Sequence, residues 1–415
     1  MIRTRTIWLG LGLLAATAWQ ATGCGGESSG SGNSNTNWLY CDTNGECVPK
    51  FGSNFLCVNH VCSAESAGTV RDGGPDSSVS SGLSAGTPVT PDEKCGDAPR
   101  TLVDRMHLAT PDAVFSGESA GMHVAVNATD LYYTLDGDGA IVKGVATGGL
   151  VARVSLKGGA PVVAASIVGY AVDIVLTDTT LILAESHPAD STGLILRIPL
   201  GGGDRVVLAP TLNLRPGIAT DGRNVYFADD QGTKSVPVAG GDVRTLSTET
   251  GQLALFGSGL VVASTGQLSD TASTIYDIPI AGGPPTVLAT GEFDAGTPVA
   301  CGADVCWGLS MTGDAAPSCC FGTGAIRRLK PGGVPETVVA DEGLFPIFQL
   351  VYDGANFFAT IIADASAGEA VRVPGDGGSV AYLGSGASIA VDDRCVYLAG
   401  LDSGVWSVVK TYTQP

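Results

Sequence analysis

Gly117-Glu118-Ser119-Ala120-Gly121 spells the G-x-S-x-G of a hydrolase nucleophile elbow. That motif works only on a sharp turn from a strand into a helix, with an acid and a histidine following in the same fold. Here Met122 to Leu135 reads as a strand hairpin, His123 stands too close to Ser119 to be its base, and His187 falls in a loop. The segment is therefore read as a Gly/Ser loop. The other two histidines are His60 and His107, and none of the four has H-x-x-x-H spacing, which argues against histidine-based metalloenzyme chemistry. Asp136-Gly-Asp138-Gly opens like a calcium loop but lacks the glutamate that closes one, so it reads as an Asp-Gly turn and leaves Asp136 and Asp138 as a weak Ca²⁺ site. No catalytic residue and no further cofactor is assigned.

Composition narrows the partners. The 415 residues hold 22 Lys and Arg against 41 Asp and Glu, a net charge of -19, which repels phosphate backbones and excludes nucleic acid. Fifty-nine glycines, 22 prolines and only 15% charged residues favour many short strands joined by tight turns, and 44% hydrophobic residues suffice for a large core.

The elements that must position any site begin with an address. Arg3 and Arg5 precede an apolar run from Ile7 to Ala18, too short for a bilayer that needs about 20 residues, so residues 1–23 read as an export signal. Ala21-Thr22-Gly23-Cys24 resembles the lipobox of bacterial lipoproteins, with Ala21 standing where leucine is commonest. The resemblance implies cleavage before Cys24, acylation of its thiol and, with Gly25 in place of Asp, anchoring in the outer membrane, on its periplasmic or surface face. Residues 24–37 and 64–93 lack large apolar runs and read as a tether and a linker. Between them, residues 38–63 carry Cys41, Cys47, Cys57 and Cys62, spaced C-x5-C-x9-C-x4-C. So small a module needs staples, and export favours two disulfides, in any of three pairings. Zinc is disfavoured because no C-x2-C occurs and His60 is the one nearby imidazole. This module resembles small cysteine-rich modules near the N-termini of large secreted myxobacterial proteins.

From residue 94 to 415 a repeat appears. A strand, a turn and a second strand recur with Leu131, Leu181, Val225, Leu260, Val305, Phe357 and Val396 in equivalent places, at a mean period of about 44 residues. Between them a strand runs into a Gly-Gly turn at Gly158, Gly202, Gly240, Gly282, Gly332 and Gly377 and leaves through a β-branched run. Four short strands per unit, seven times over, predict an all-β fold, a seven-bladed β-propeller of four-stranded blades. The seventh unit lacks a fourth strand, and the first strand of the domain, from the β-prone runs of residues 100–115 that include Arg100-Thr-Leu-Val103 and Ala113 to Phe115, is expected to supply it, because closure removes two unpaired sheet edges. The pattern of strand, turn, Val-Tyr and Arg-Val-Pro-x-Gly-Gly resembles NHL-like and TolB-like secreted propellers. Cys95 and Cys395 would bridge the closure, and Cys301, Cys306, Cys319 and Cys320 would form two more disulfides, an even set once Cys24 is lipidated.

In such blades the connections between second and third strands share one face with the crossings between blades. Those connections are read as Asp136 and Asp138, Glu185 and Asp190, Asp229 and Asp230, Asp270, Asp314, Asp364 and Asp402, with no Lys or Arg within the turns. The crossings add Glu249, Glu292, Asp294, Asp341 and Glu342 against Arg215. A negative ring around the channel mouth is expected, taking Ca²⁺ or a basic protein surface. The expected function is a surface-anchored, non-enzymatic scaffold for a protein or polysaccharide. The alternative is a propeller enzyme, a lyase or oxidoreductase, with its site at the central channel.

Overall fold

A short polar residue four places ahead of a buried apolar one builds the same turn again and again. In the computed structural model Asn127 accepts the amides of Thr129 and Asp130 at 2.9 and 2.8 Å, and Asp221 those of Arg223 and Asn224 at 2.8 and 2.6 Å. Asp353 accepts the amides of Ala355 and Asn356 at 2.9 and 2.8 Å, and Asp392 that of Cys395 at 2.7 Å. Such side chains hold their own backbone two or three residues on and so fix a hairpin. The residue that follows each turn, Leu131, Val225, Phe357 or Val396, is buried, as are Leu181, Leu260 and Val305. All seven pair with the residue five places earlier, from Val126 opposite Leu131 to Val391 opposite Val396.

The structure describes residues 55–58, 61–64, 100–103, 109–110, 113–115, 123–142, 145–187, 190–264, 272–292, 294–309, 323–341, 344, 346–362, 368–393, 395–400 and 404–409. Of these, 55–64, 100–101, 103, 109–115, 136–142, 145–148, 362, 400 and 404–409 are described by backbone alone. The chain divides into two units, residues 1–82 and 83–415. In the first, Phe55–Val58 pairs with Val61–Ala64 and sets Cys57 opposite Cys62.

The second unit is an all-β propeller. Its first strands, Val124–Val126, Tyr170–Leu176, Ala219–Thr220, Gln252–Phe256, Ala295–Cys301, Ile347–Tyr352 and Ser388–Val391, each pack on the next, and the last packs on the first. They ring the axis, and later strands of each repeat follow outward. The core lies between adjacent sheets; Val124, Tyr133 and Leu135, for example, pack on Ala390, Cys395 and Tyr397.

The structure corrects the expectation of seven four-stranded blades: six sheets are four-stranded, and the first repeat unit belongs to a six-stranded sheet. Asp136-Gly-Asp138-Gly does not turn the chain. Strand Asp130–Val142 runs through it with a register shift between Asp136 and Ala140, then pairs with Val145–Ser155, while Ala113–Phe115 and Ala109–Thr110 add at its edge. The β-prone runs Ala140-Ile-Val142 and Val145-Ala-Thr147 favour continued pairing, so the acidic glycine segment is absorbed as a bulge. The closure follows the expectation: Arg100–Val103 pairs with Gly404–Val409 and is the fourth strand of the last blade.

Two further devices join neighbours. Cys301 and Cys306 are disulfide-bonded across a hairpin with a Cα–Cα distance of 5.9 Å, and Cys395 is disulfide-bonded. An arginine of the third strand reaches the following unit in three repeats: Arg153 Nη1 donates to Leu200 O at 3.4 Å, Arg197 Nη1 to Val238 O at 2.9 Å, and Arg328 to Gly375 O.

Candidate functional site

The channel wall is built at one register. Counting eight residues back from each of the seven buried reference positions gives His123, Asp173, Gly217, Gln252, Thr297, Gln349 and Ser388. These lie within or just before the innermost strands, whose outer sides pair within their sheets and whose inner sides have no further strand to meet. Unpaired amides there carry a desolvation cost unless something accepts them. The side chains of one unit supply acceptors for the next. Asp173 Oδ2 accepts Ile218 N at 2.9 Å, Gln349 Oε1 accepts Ile389 N at 2.8 Å, Ser388 Oγ accepts Val124 N at 3.1 Å, and Gln252 Oε1 accepts Thr297 N. The His123 ring donates to the backbone carbonyl of Ala171.

His123 and Asp173 face each other, Nδ1 to Oδ1, at 3.8 Å, each with 23% of its side chain exposed. Burial lowers the imidazole to about 4, against the opposing hydrogen bond to Ala171. Burial also raises the Asp173 carboxyl to about 6, against the amides of Ile218 and Ile174 that favour its charged form. At neutral pH the histidine is neutral and the aspartate ionised.

Four of the acids expected to form a negative ring, Glu185, Asp229, Asp230 and Glu292, are paired with cations. Glu185, fully buried in strand Thr180–His187 rather than in a connection, accepts Gly169 N at 3.1 Å and contacts His187 Nε2 at 2.6 Å and Arg205 Nη1 at 3.4 Å. Asp229 is fully buried and pairs with Lys234 Nζ at 2.7 Å; Asp230 pairs with Arg215 Nη2 at 2.7 Å. Glu292 meets Arg327 Nε and Trp307 Nε1, each at 3.3 Å. Asp190 is exposed, and hydrogen bonds from the Thr192 hydroxyl and amide hold its carboxyl below the usual range. For these four acids the cations absent from the turns arrive from neighbouring strands and crossings, which a scan of each turn by itself does not see. Asp136 and Asp138 lie in a strand with only their backbone described. Asp270, Asp314, Asp364 and Asp402, like Cys24, Cys41, Cys47, Cys95, Cys319, Cys320 and Ser119, lie outside the described residues; Cys57 and Cys62 are described by backbone alone.

The same face exposes apolar surface. Val168 and Tyr170, 56% and 50% exposed, lie at the crossing into the second repeat, and Phe348, 51% exposed, at the start of the sixth. Sequence reasoning missed both this surface and the channel ring. The ring had a signal, polar types at a constant offset from the reference positions, but no local pattern marks it. Among the described residues no group of three or more metal-binding side chains forms.

No known protein family matches the chain, and no curated protein matches it in sequence. Solved structures do match. The tricorn protease aligns at TM-score 0.52 and 9% identity, over 73% of this chain and 34% of that one. A Mycobacterium tuberculosis puromycin-hydrolyzing peptidase aligns at TM-score 0.50 and 12% identity, over 75% and 55%. TolB from Acinetobacter baumannii aligns at TM-score 0.40 and 12% identity, over 56% and 61%. The chain spans about a third of the tricorn protease and about half of the peptidase. The two larger likenesses agree with the sheet topology in one conclusion: this chain folds as an all-β propeller of four-stranded blades.

Proposed function

We propose that the protein is an outer-membrane lipoprotein, anchored through Cys24, whose propeller is a non-enzymatic scaffold for a protein or polysaccharide. The observation that carries the scaffold reading is the channel ring. His123, Asp173, Gln252, Gln349 and Ser388 are engaged in joining one unit to the next, so the polar groups of the channel wall serve the fold. The exposed Val168, Tyr170 and Phe348 on the loop-bearing face supply the contact surface. The lipobox-like Thr22-Gly23-Cys24 supports the anchor.

A second reading, a propeller enzyme, draws on one arrangement. Buried Glu185 holds His187 at 2.6 Å while 27% of the imidazole stays exposed, as an orienting carboxylate holds a general base. Crosslinking of the intact lipidated chain to envelope components separates the two. Crosslinks at the face of Tyr170 and Phe348, unaffected by His187→Ala, are expected. No captured component, or turnover abolished by His187→Ala, overturns the scaffold reading. Metabolic labelling with palmitate is expected to mark the wild type and not Cys24→Ser; equal labelling of both removes the anchor.

A further inference from the structure

Two positions of the repeat carry a hairpin cap, and in the fifth unit that cap is covalent. The residue four places before the reference position and the residue one place after it are Asn127 and Tyr132, Asp221 and Tyr226, Asp353 and Phe358, and Asp392 and Tyr397. Around Val305 the same places hold Cys301 and Cys306. In the third and seventh units the earlier side chain accepts the tyrosine hydroxyl, Tyr226 Oη donating to Asp221 Oδ2 at 2.9 Å and Tyr397 Oη to Asp392 Oδ2 at 2.8 Å. In the fifth unit the two sulfurs are bonded to each other. The turns match as well, because Gly222, Gly302 and Gly354 follow the earlier residue with positive φ of 82°, 74° and 98°.

The bonded cysteines are only 5 residues apart, and so short a loop constrains the unfolded chain little. The effect of the bond therefore lies in the folded hairpin, and that hairpin is one wall of a seam. Cys301 and Cys306 pack in a single buried cluster with Ile347, Leu350 and Phe357 of the sixth unit. At the ring register Asp173, Gln252, Gln349 and Ser388 each hold an amide of the next unit. The fifth unit has Thr297 there, and its buried hydroxyl makes no hydrogen bond. Among the described residues the join between the fifth and sixth units rests on apolar packing around the cystine and on Arg328 donating to Gly375 O.

We propose that Cys301–Cys306 is a redox-operated cap, whose reduction by an external dithiol releases the inner hairpin of the fifth unit and loosens its seam with the sixth. A thiolate of the dithiol attacks one cystine sulfur, with Cys301 the less buried residue at 6% exposure against 0% for Cys306. The S–S bond breaks, Cys306 leaves as a thiolate and a mixed disulfide forms on Cys301. The second thiolate of the dithiol then displaces the Cys301 sulfur and closes a cyclic disulfide. Two electrons and, through solvent, two protons have passed to the cysteines. Thiols are weak donors and acceptors, so the reduced pair replaces neither the covalent link nor the Asp–Tyr hydrogen bond of the other units.

Hydrogen exchange on the full chain, with and without dithiothreitol, tests it, and alkylation of the folded chain reports which sulfurs have been reduced. Dithiothreitol is expected to make Cys301 and Cys306 alkylatable and to speed exchange about tenfold or more in residues 299–309 and 347–352, while residues 219–229 hold their rate. Cys301→Ala/Cys306→Ala should exchange at the faster rate without reductant. Cys301→Asp/Cys306→Ala rebuilds the cap as Asp221 does, through the amides two and three residues on, and should exchange slowly in those segments with or without dithiothreitol. Cysteines that stay oxidised in the folded chain, or exchange unchanged once both are reduced, overturn the switch. So does an alanine pair as protected as the wild type, or an aspartate variant that exchanges as fast as the alanine pair.

Discussion

His123 and Asp173 bind protons in opposite senses, and their pH effects have opposite signs. The folded Asp173 titrates near 6, above the ordinary value of about 3.9, so its contribution favours folding at low pH and is lost as pH rises from about 4 to 6. The folded His123 titrates near 4, below its ordinary value of about 6.5, so its contribution is present above 6.5 and lost as pH falls to about 4. In the wild type the two slopes largely cancel between pH 4 and 6. Stability of His123→Gln relative to wild type should therefore rise as pH falls through this window, and that of Asp173→Asn should fall, each by on the order of 1 kcal/mol per pH unit at most. Urea melts at closely spaced pH values check this, and parallel curves for wild type and both variants would disprove the protonation states. A smaller effect belongs to the hairpin caps: Asp392→Ala removes the acceptor for Cys395 N and Tyr397 Oη and should cost about 1 kcal/mol, read as a shift in the urea midpoint.

Pairs between strands carry larger consequences. Asp229 sits at the end of strand Asn224–Asp229, and Lys234 lies in the next strand, with 0% and 9% of their side chains exposed. Removing one charge of a buried pair leaves the other unmatched and costs about 3–5 kcal/mol. Asp229→Asn is thus expected to destabilise strongly, while Asp229→Asn combined with Lys234→Met recovers most of the loss. Thermal unfolding of both variants decides the point, and an unperturbed single variant would mean that the pair is not formed. For the same reason, weakened partner binding by Asp229→Asn reports on folding rather than on an acidic docking face. The fourth strand of the last blade is equally consequential. Deleting residues 100–103 uncovers the edge of Gly404–Val409 and should give a less stable, self-associating protein, visible by size-exclusion chromatography; an unchanged monomer would show that closure does not depend on this strand.

At the scale of the whole molecule, calcium separates two accounts of the acidic residues. With Glu185, Asp229, Asp230 and Glu292 already matched by Arg205, Lys234, Arg215 and Arg327, millimolar Ca²⁺ is expected to leave the melting temperature nearly unchanged. A rise of several degrees would restore the cation-binding ring. The repeat, its reference positions and closure by a strand from residues 100–115 were legible in the sequence, because a hairpin turn and an alternating strand are set by residues a few places apart; that Arg100–Val103 closes the ring while Ala113–Phe115 joins another sheet was not. The six-stranded sheet was hidden, since Asp136-Gly-Asp138-Gly carries turn chemistry and only pairing on both sides of it outweighs that preference. The charge pairs and the channel ring were hidden for a related reason. Asp173 meets Ile218 and Arg205 meets Glu185 only after separate strands have been stacked around an axis. Local order of backbone and turn is written in short spacings; which charges are neutralised, which amides are capped and which apolar side chains stay exposed depend on contacts between units tens of residues apart, and the tertiary structure alone decides them.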